Sequence, residues 1–179
     1  MKGKGEQGFT LIELLIVVAI ISIIAAIAVP GLLRARMTGN ESSAIASLRT
    51  TTSSQVSYSA ACGNGGYATD YVILGTPVGG AGGQGFISAD LGTVVAPLKS
   101  GYDFTMGAGV AGVTATTDCH AAANVTGAGF YATADPTALG TTGTRRFAVN
   151  AGMTIWQDTS GVAPGEAAFV VAGTISPIQ

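Results

Sequence analysis

One carboxylate stands at the entrance of the longest apolar segment of the sequence. Residues 14–29 are apolar except for Ser22, and Glu13 directly precedes them. An acid near the end of a membrane-length apolar helix costs about 2 to 3 kcal/mol by insertion scales, so its presence predicts a function. Because a carboxylate in an apolar core is tolerated only when it is paired, a cationic partner is expected for Glu13.

Thiol and imidazole chemistry depends on Cys62, Cys119 and the single histidine, His120. The two cysteines suit one disulfide if this part of the chain lies outside the cytoplasm. With His120 they fall short of the usual four ligands of structural zinc, so we expect no metal site and an exposed loop position for His120. Nothing positions a Ser-His-Asp set, and the aspartates are scattered singly, so we expect no enzyme and no cofactor.

Three further patterns are weak. Residues 80–85 satisfy the dinucleotide spacing G-x-G-x-x-G after a possible strand at 71–74, but glycine-rich sequence produces this spacing by chance and favours a flexible loop. Asp158 lacks the clustered acids of a calcium site, so we expect an ordinary turn. Arg145 and Arg146 form one basic pair, which is typical of a solvated strand edge, and we expect no nucleic-acid partner.

The apolar segment has the length of a membrane helix. Residues 9–29 would extend about 31 Å as a helix, against a hydrocarbon core of roughly 30 Å. Pro30 and Gly31 should weaken the helix locally, through a lost backbone bond and added backbone freedom. Apolar residues then recur at intervals of three and four, which predicts a continuing helix. The glycine-rich residues 62–66 predict that it ends between residues 60 and 63.

The remainder is rich in turns and short alternating segments. Predicted strands cover residues 102–106, 129–133, 145–149, 153–157 and 168–172. Asn150-Ala151-Gly152 is predicted as a three-residue hairpin loop with Gly152 in the left-handed conformation. Residues 65–92 would connect helix and sheet. We therefore predict an α+β fold, in which the outer half of a long N-terminal hydrophobic helix packs on an antiparallel β-sheet.

Composition favours an exported structural protein. Charged residues make up 10% of the chain, against about 25% in average soluble domains. The formal net charge of −2 does not favour a positively charged surface for binding duplex nucleic acid. The residues after the first helix suffice for one small domain with a modest core.

The N-terminus resembles the class III signal of type IV prepilins and the related pseudopilins. The similar part is a short basic leader that ends in Gly8, the residues FTLIE at 9–13, and the uninterrupted apolar helix. The resemblance implies that a prepilin peptidase cuts between Gly8 and Phe9 and methylates the new N-terminus. It also implies that Glu13, the fifth residue after this cut, is the assembly glutamate, paired with the Phe9 amine of a neighbouring subunit.

The resemblance implies a pilin fold and a filament function. Its segments would be a prepilin leader (1–8), a transmembrane and filament-core helix (9–30), an outer helix of the globular domain (31–62), and a loop plus antiparallel sheet (63–179). The implied partners are other copies in a helical filament, prepilin peptidase, the pilus assembly machinery and, before assembly, the bacterial cytoplasmic membrane. An extracellular pilus for adhesion, motility or DNA uptake is the leading function. A pseudopilin of a type II secretion system, with a periplasmic filament, is the alternative.

An ordinary secretory signal peptide is the rival interpretation of the same segment. Residues 14–25 would be its apolar region, and Ala26-Ile27-Ala28 a cleavage site of the small-x-small type. The product would be a secreted or anchored globular binding protein. Glu13 inside the apolar stretch and Pro30 just beyond the proposed cut argue against this interpretation.

Overall fold

The structure is a computed structural model that describes residues 8–79, 83–109, 113–114, 117–120, 126–160, 164–165 and 173–178. Its contacts divide the chain into two compact units, Met1–Arg36 and Met37–Gln179. The first helix, α1 (Leu11–Ala61), contributes residues to both units. Its end at Ala61 lies within the interval that the glycine-rich residues 62–66 predict.

The first unit contains the apolar part of α1. Every described residue from 8 to 36 is exposed. By length and composition α1 is able to cross a membrane, with a mean hydropathy of 3.0 in its most apolar window. The helix is continuous through Pro30.

In the second unit, α1 buries one face. Its buried residues recur every three or four positions, as one face of a helix requires: Glu41, Ala44, Ser47, Leu48, Thr51, Ser54, Gln55 and Tyr58. Ala44, Leu48 and Tyr58 belong to one core cluster with residues of the sheet. The outer half of the helix therefore packs on the sheet, as the sequence predicts.

Two short helices follow α1: α2 (Tyr71–Gly75) and α3 (Ala89–Gly92). The strand considered at residues 71–74 is wrong. Asp70 explains the difference, because its side chain accepts a hydrogen bond of 2.9 Å from the backbone N–H of Ile73 and caps a helix start. Residues 80–82 of the glycine-rich pattern lie outside the described residues.

A six-stranded sheet follows the two short helices in the second unit. Its strands, in the spatial order β1-β2-β5-β6-β7-β8, are β1 (Leu98–Lys99), β2 (Tyr102–Ala108), β5 (Phe130–Pro136), β6 (Arg146–Asn150), β7 (Ile155–Asp158) and β8 (Ile175–Pro177). All neighbouring pairs are antiparallel. A separate pair consists of β3 (Val113–Thr114) and β4 (Thr126–Gly127). The predicted α+β class is thus confirmed.

The hairpin between β6 and β7 differs from its prediction. The left-handed residue is Met153, with φ of 62°, and not Gly152. The backbone N–H of Gly152 donates to the side chain of Asn150 at 2.9 Å, and that of Met153 to the Asn150 carbonyl at 2.9 Å. This side-chain bond closes the turn over residues 150–153 and moves the left-handed position one residue onward.

Aromatic side chains fill the core of the second unit. The fully buried aromatic residues are Tyr58, Tyr71, Tyr102, Phe104, Phe130 and Phe147. Tyr102 and Phe104 alternate with the exposed Asp103 and Thr105, as a strand with one solvated face requires. The predicted strand at 168–172 lies outside the described residues.

Candidate functional site

Gly8, Phe9 and Thr10 precede the first turn of α1 and are exposed. Phe9 has 90% of its surface exposed. The peptide bond between Gly8 and Phe9 therefore lies outside regular structure, where an enzyme can reach an extended backbone.

Glu13 caps the start of α1. Its Oε2 accepts hydrogen bonds from the Thr10 backbone N–H at 3.0 Å and the Thr10 hydroxyl at 2.7 Å. The backbone N–H of Glu13 donates to the Thr10 hydroxyl at 3.3 Å. This reciprocal arrangement is a capping box. Within the part of the chain that the structure describes, Thr10 is the partner of the carboxylate, and no cation is paired with it.

The helix beyond Glu13 exposes apolar side chains around its whole circumference. Large exposed hydrophobic residues occur throughout residues 14–33, from Leu14 at 61% to Leu33 at 45%. The one polar side chain among residues 14–29, Ser22, donates its hydroxyl to the Val18 carbonyl at 2.8 Å and so presents no free donor. An apolar surface of this extent requires a membrane or a protein partner.

Residues 3–29 match the family model of the prokaryotic N-terminal methylation motif.

The matching residues begin in the short leader and include Gly8, Phe9 and Glu13. The same end of the chain is similar to the type IV wide pilus major component PilA4 of Thermus thermophilus. The identity is 58% over 38 residues, which are 21% of this chain and 29% of that relative. The chain thus aligns with less than a third of the relative's length. No solved structure matches the chain.

The methylation motif ends just before Pro30 and Gly31. Proline has no backbone N–H, so the Ala26 carbonyl receives no helical bond from position 30. Because α1 is nevertheless continuous here, local weakness at Pro30 and Gly31 stays a prediction.

The end of α1 is fastened by a disulfide between Cys62 and Cys119, which agrees with the expected pairing. Both sulfur atoms of the candidate metal group that includes His120 belong to this bond, so neither is a thiolate ligand.

His120 is not the exposed loop residue that the sequence suggests. Its side chain is only 10% exposed. Nδ1 lies 2.9 Å from Oδ2 of the buried Asp118, and Nε2 lies 3.2 Å from the Thr76 carbonyl oxygen. Both ring nitrogens therefore lie within hydrogen-bond distance of an oxygen atom.

Asp118 also connects the segment around Cys119 and His120 to α1. Its Oδ2 accepts a hydrogen bond of 2.9 Å from the Tyr58 hydroxyl. Burial, and then the adjacent carboxylate, raise the pKa of Tyr58 above its ordinary value, so the phenol remains a donor. The helix end is thus held by one covalent bond and one buried polar network.

A buried carboxylate on α1 was not predicted from the sequence. Glu41 is 5% exposed, and one of its oxygens accepts hydrogen bonds from the N–H and hydroxyl of Thr144, both at 2.8 Å. The other accepts from Nη2 and Nε of Arg145 at 2.7 and 2.9 Å. Burial raises the pKa of Glu41, but these bonds outweigh it and hold the pKa below its ordinary value.

The two adjacent arginines are not a solvated strand edge. Arg145 binds Glu41 and Gln157, and its guanidinium lies 5.5 Å from the Phe147 ring centre. Nη1 of Arg146 binds Asp135 at 3.0 Å. Both cations are therefore neutralised within the fold.

Asp158 forms the expected turn. Its oxygens accept the Ser160 backbone N–H at 2.6 Å and the Ser160 hydroxyl at 2.8 Å. Burial raises the pKa of Asp158, yet the hydrogen bonds from Ser160 and Thr174 more than compensate and hold it below its ordinary value.

Proposed function

We propose that this protein is a structural, non-enzymatic subunit of a type IV pilus. Prepilin peptidase would cut it after Gly8 and methylate Phe9, and the apolar helix would then enter the filament core. The observation that carries this proposal is the N-terminal methylation motif on an exposed segment that leads into the exposed apolar half of α1. The similarity to a major component of a type IV wide pilus supports it.

The apolar helix serves two environments in this proposal. Before assembly, residues 9–29 anchor the precursor in the cytoplasmic membrane, with residues 1–8 on the cytoplasmic side. During assembly the same side chains exchange lipid for the helices of neighbouring subunits. Both environments cover the apolar surface that the single chain leaves exposed.

Glu13 sets the register of assembly. Cleavage after Gly8 frees an amine at Phe9, a cation able to pair with the carboxylate of a neighbouring copy. A misregistered subunit would leave this acid unpaired in an apolar core, which is strongly unfavourable. The Thr10 contacts hold the carboxylate at the helix start until that pair forms.

Mass spectrometry of the N-terminal peptide from host cells tests the processing step. We expect a peptide that begins with N-methylated Phe9. A mature chain that begins at Val29 would identify a discarded secretory signal and overturn the proposal.

Replacement of the acid tests the assembly step. We expect Glu13→Ala to insert normally into the membrane and to abolish surface filaments, as seen by electron microscopy. Ser22→Ala is the matched control, because Ser22 bonds only within its own helix, and it should assemble normally. Normal filaments from the Glu13→Ala strain would contradict the role of this carboxylate.

Shear fractionation decides where the filament lies. A pilus subunit for adhesion, motility or DNA uptake appears in the sheared surface fraction, whereas a periplasmic pseudopilin remains with the cells. We expect the sheared fraction.

A further inference from the structure

Two charged side chains of the second unit have no partner within the described residues. They are Arg49 on α1 and Asp103 on β2, and both are exposed. Among the described residues of this unit, the other charged side chains are engaged: Lys99 with Asp90, Arg145 with Glu41, Arg146 with Asp135, Asp118 with Tyr58 and His120, and Asp70 and Asp158 in turns. Within the described part of this unit, one cation and one anion are thus unmatched.

Asp103 has an apolar neighbour. It pairs with Leu98 across β1 and β2, and residues directly opposite in an antiparallel pair share a face. Leu98 is 64% exposed. On its other side Asp103 pairs with Asp135, whose carboxylate is occupied by Arg146. We call Leu98 and Asp103 the acidic edge.

Arg49 borders a shallow cavity of about 280 Å³. We call this the basic pocket; its lining residues are Arg49, Met153, Thr154, Ile155 and Ile178. Ile178, directly after β8, donates its backbone N–H to the Ile155 carbonyl at 2.8 Å. Ile155 is buried, so the pocket presents mainly polar surface, with the Arg49 guanidinium from α1 beside Met153 and Ile178.

The two patches lie toward opposite ends of the sheet. The acidic edge belongs to β1 and β2, and the basic pocket to β7, the turn before it, and the residue after β8. At about 4.8 Å between neighbouring strands, β2 and β8 are roughly 20 Å apart. One chain is therefore unable to join its own patches, whereas two copies can.

We propose that a second copy of this chain docks its acidic edge in the basic pocket. Asp103 of one copy binds the Arg49 guanidinium of the next, and Leu98 packs beside Met153 and Ile178. Because the patches differ and lie at opposite ends, this contact is heterologous and repeats from copy to copy, as an open filament requires. The inference rests on the proposed filament function and adds a contact between globular domains to the helix contact.

Charge reversal in full-length protein in host cells tests this contact. We expect Arg49→Glu and Asp103→Arg each to reduce the filament protein recovered by shearing about tenfold, because like charges then meet at every contact. The double variant restores the attraction and should return to the wild-type amount. Thr50→Glu is the matched control, an exposed charge beside Arg49, and should assemble normally.

Cross-linking is the second measurement, should a reversed variant fail to accumulate in the membrane. Filaments of the variant Arg49→Cys/Asp103→Cys, treated with a short bismaleimide, should give a ladder of multimers in denaturing gels, and neither single variant should. Absence of the ladder, normal assembly of both reversed variants, or a double reversal that accumulates but does not assemble would overturn the docking. If wild-type cells form no filaments, the proposed function itself fails. If filament assembly requires Glu13 but is unchanged in both charge-reversal variants, only the proposed docking is wrong.

Discussion

At Glu41 one carboxylate receives hydrogen bonds from the backbone and side chains of both Thr144 and Arg145. Arg145 continues to Gln157, which donates to the Ser176 hydroxyl at 3.1 Å. A single side-chain network therefore runs from α1 through the β5–β6 loop to β7 and β8. The sequence signal for this network was a charged residue in phase with Ala44 and Leu48 on the buried helix face.

Removal of this carboxylate should destabilise the second unit. Glu41→Gln leaves Arg145 without its anion in a partly buried site, so we expect the free energy of unfolding at pH 7 to fall by about 3 kcal/mol. Denaturant titration of the full-length protein in detergent measures the change. Asp103→Asn, at an exposed carboxylate without a described partner, should change the free energy by less than about 0.5 kcal/mol.

The contribution of Glu41 should also depend on pH in one direction. Because its folded pKa lies below the ordinary value of 4.5, the stabilisation is complete above that value and is lost as the pH falls through the folded pKa. The difference between wild type and Glu41→Gln should therefore shrink in acid. Titrations at successive pH values check this, and a difference that grew on acidification would contradict the assigned ion pair.

Among the elements, the end of α1 depends on the Cys62–Cys119 disulfide for its attachment to the segment around Cys119. In the chain-entropy model a bond across 57 residues stabilises the folded state by about 4 kcal/mol. We expect Cys62→Ser/Cys119→Ser to lower the free energy of unfolding by up to this amount. Thermal unfolding followed by circular dichroism tests it, and reduction of the wild-type protein should reproduce the shift. An unchanged unfolding midpoint would mean that the Tyr58–Asp118–His120 network alone holds the end of α1 in place.

Helices and strands in which apolar side chains recur regularly were predictable from the sequence. The end of α1 follows from the glycine-rich residues after it, and the strand containing Tyr102 and Phe104 follows from alternating apolar side chains. The α2 helix was missed because one capping bond from Asp70 outweighs the β-branched side chains that follow it. Gly152 was misplaced because the Asn150 side chain reorganises the turn.

Contacts between distant residues had no such signal. His120 is mostly covered through contacts with Asp118 and with Thr76 of another segment. Glu41 is buried by a loop about a hundred positions onward. The types of single side chains do not show which distant residues they contact. The contacts of His120 and of Glu41 were therefore not predictable from sequence patterns. The N-terminal motif was readable because cleavage, anchoring and pairing all depend on residues that are contiguous in sequence.

For the whole molecule, the division at residue 37 predicts independent folding of the second unit. Its core cluster contains only residues from 44 onward. We expect a chain that begins at Met37 to form the disulfide and to unfold cooperatively in water without detergent. Circular dichroism melting and free-thiol titration measure both properties. Aggregated or uncooperative material would mean that residues 8–36 are needed to complete the fold.

The covalent bond at the end of α1 also has a mechanical meaning. Pulled from its two ends, a chain lengthens as its folded segments open, and each extended residue adds about 3.4 Å. The Cys62–Cys119 bond spans 57 positions, so roughly 190 Å of contour is withheld from stretching while it stays closed. Load that enters through α1 passes across the sulfur atoms and spares the enclosed segment. The oxidised protein is therefore much shorter at full extension than the reduced one.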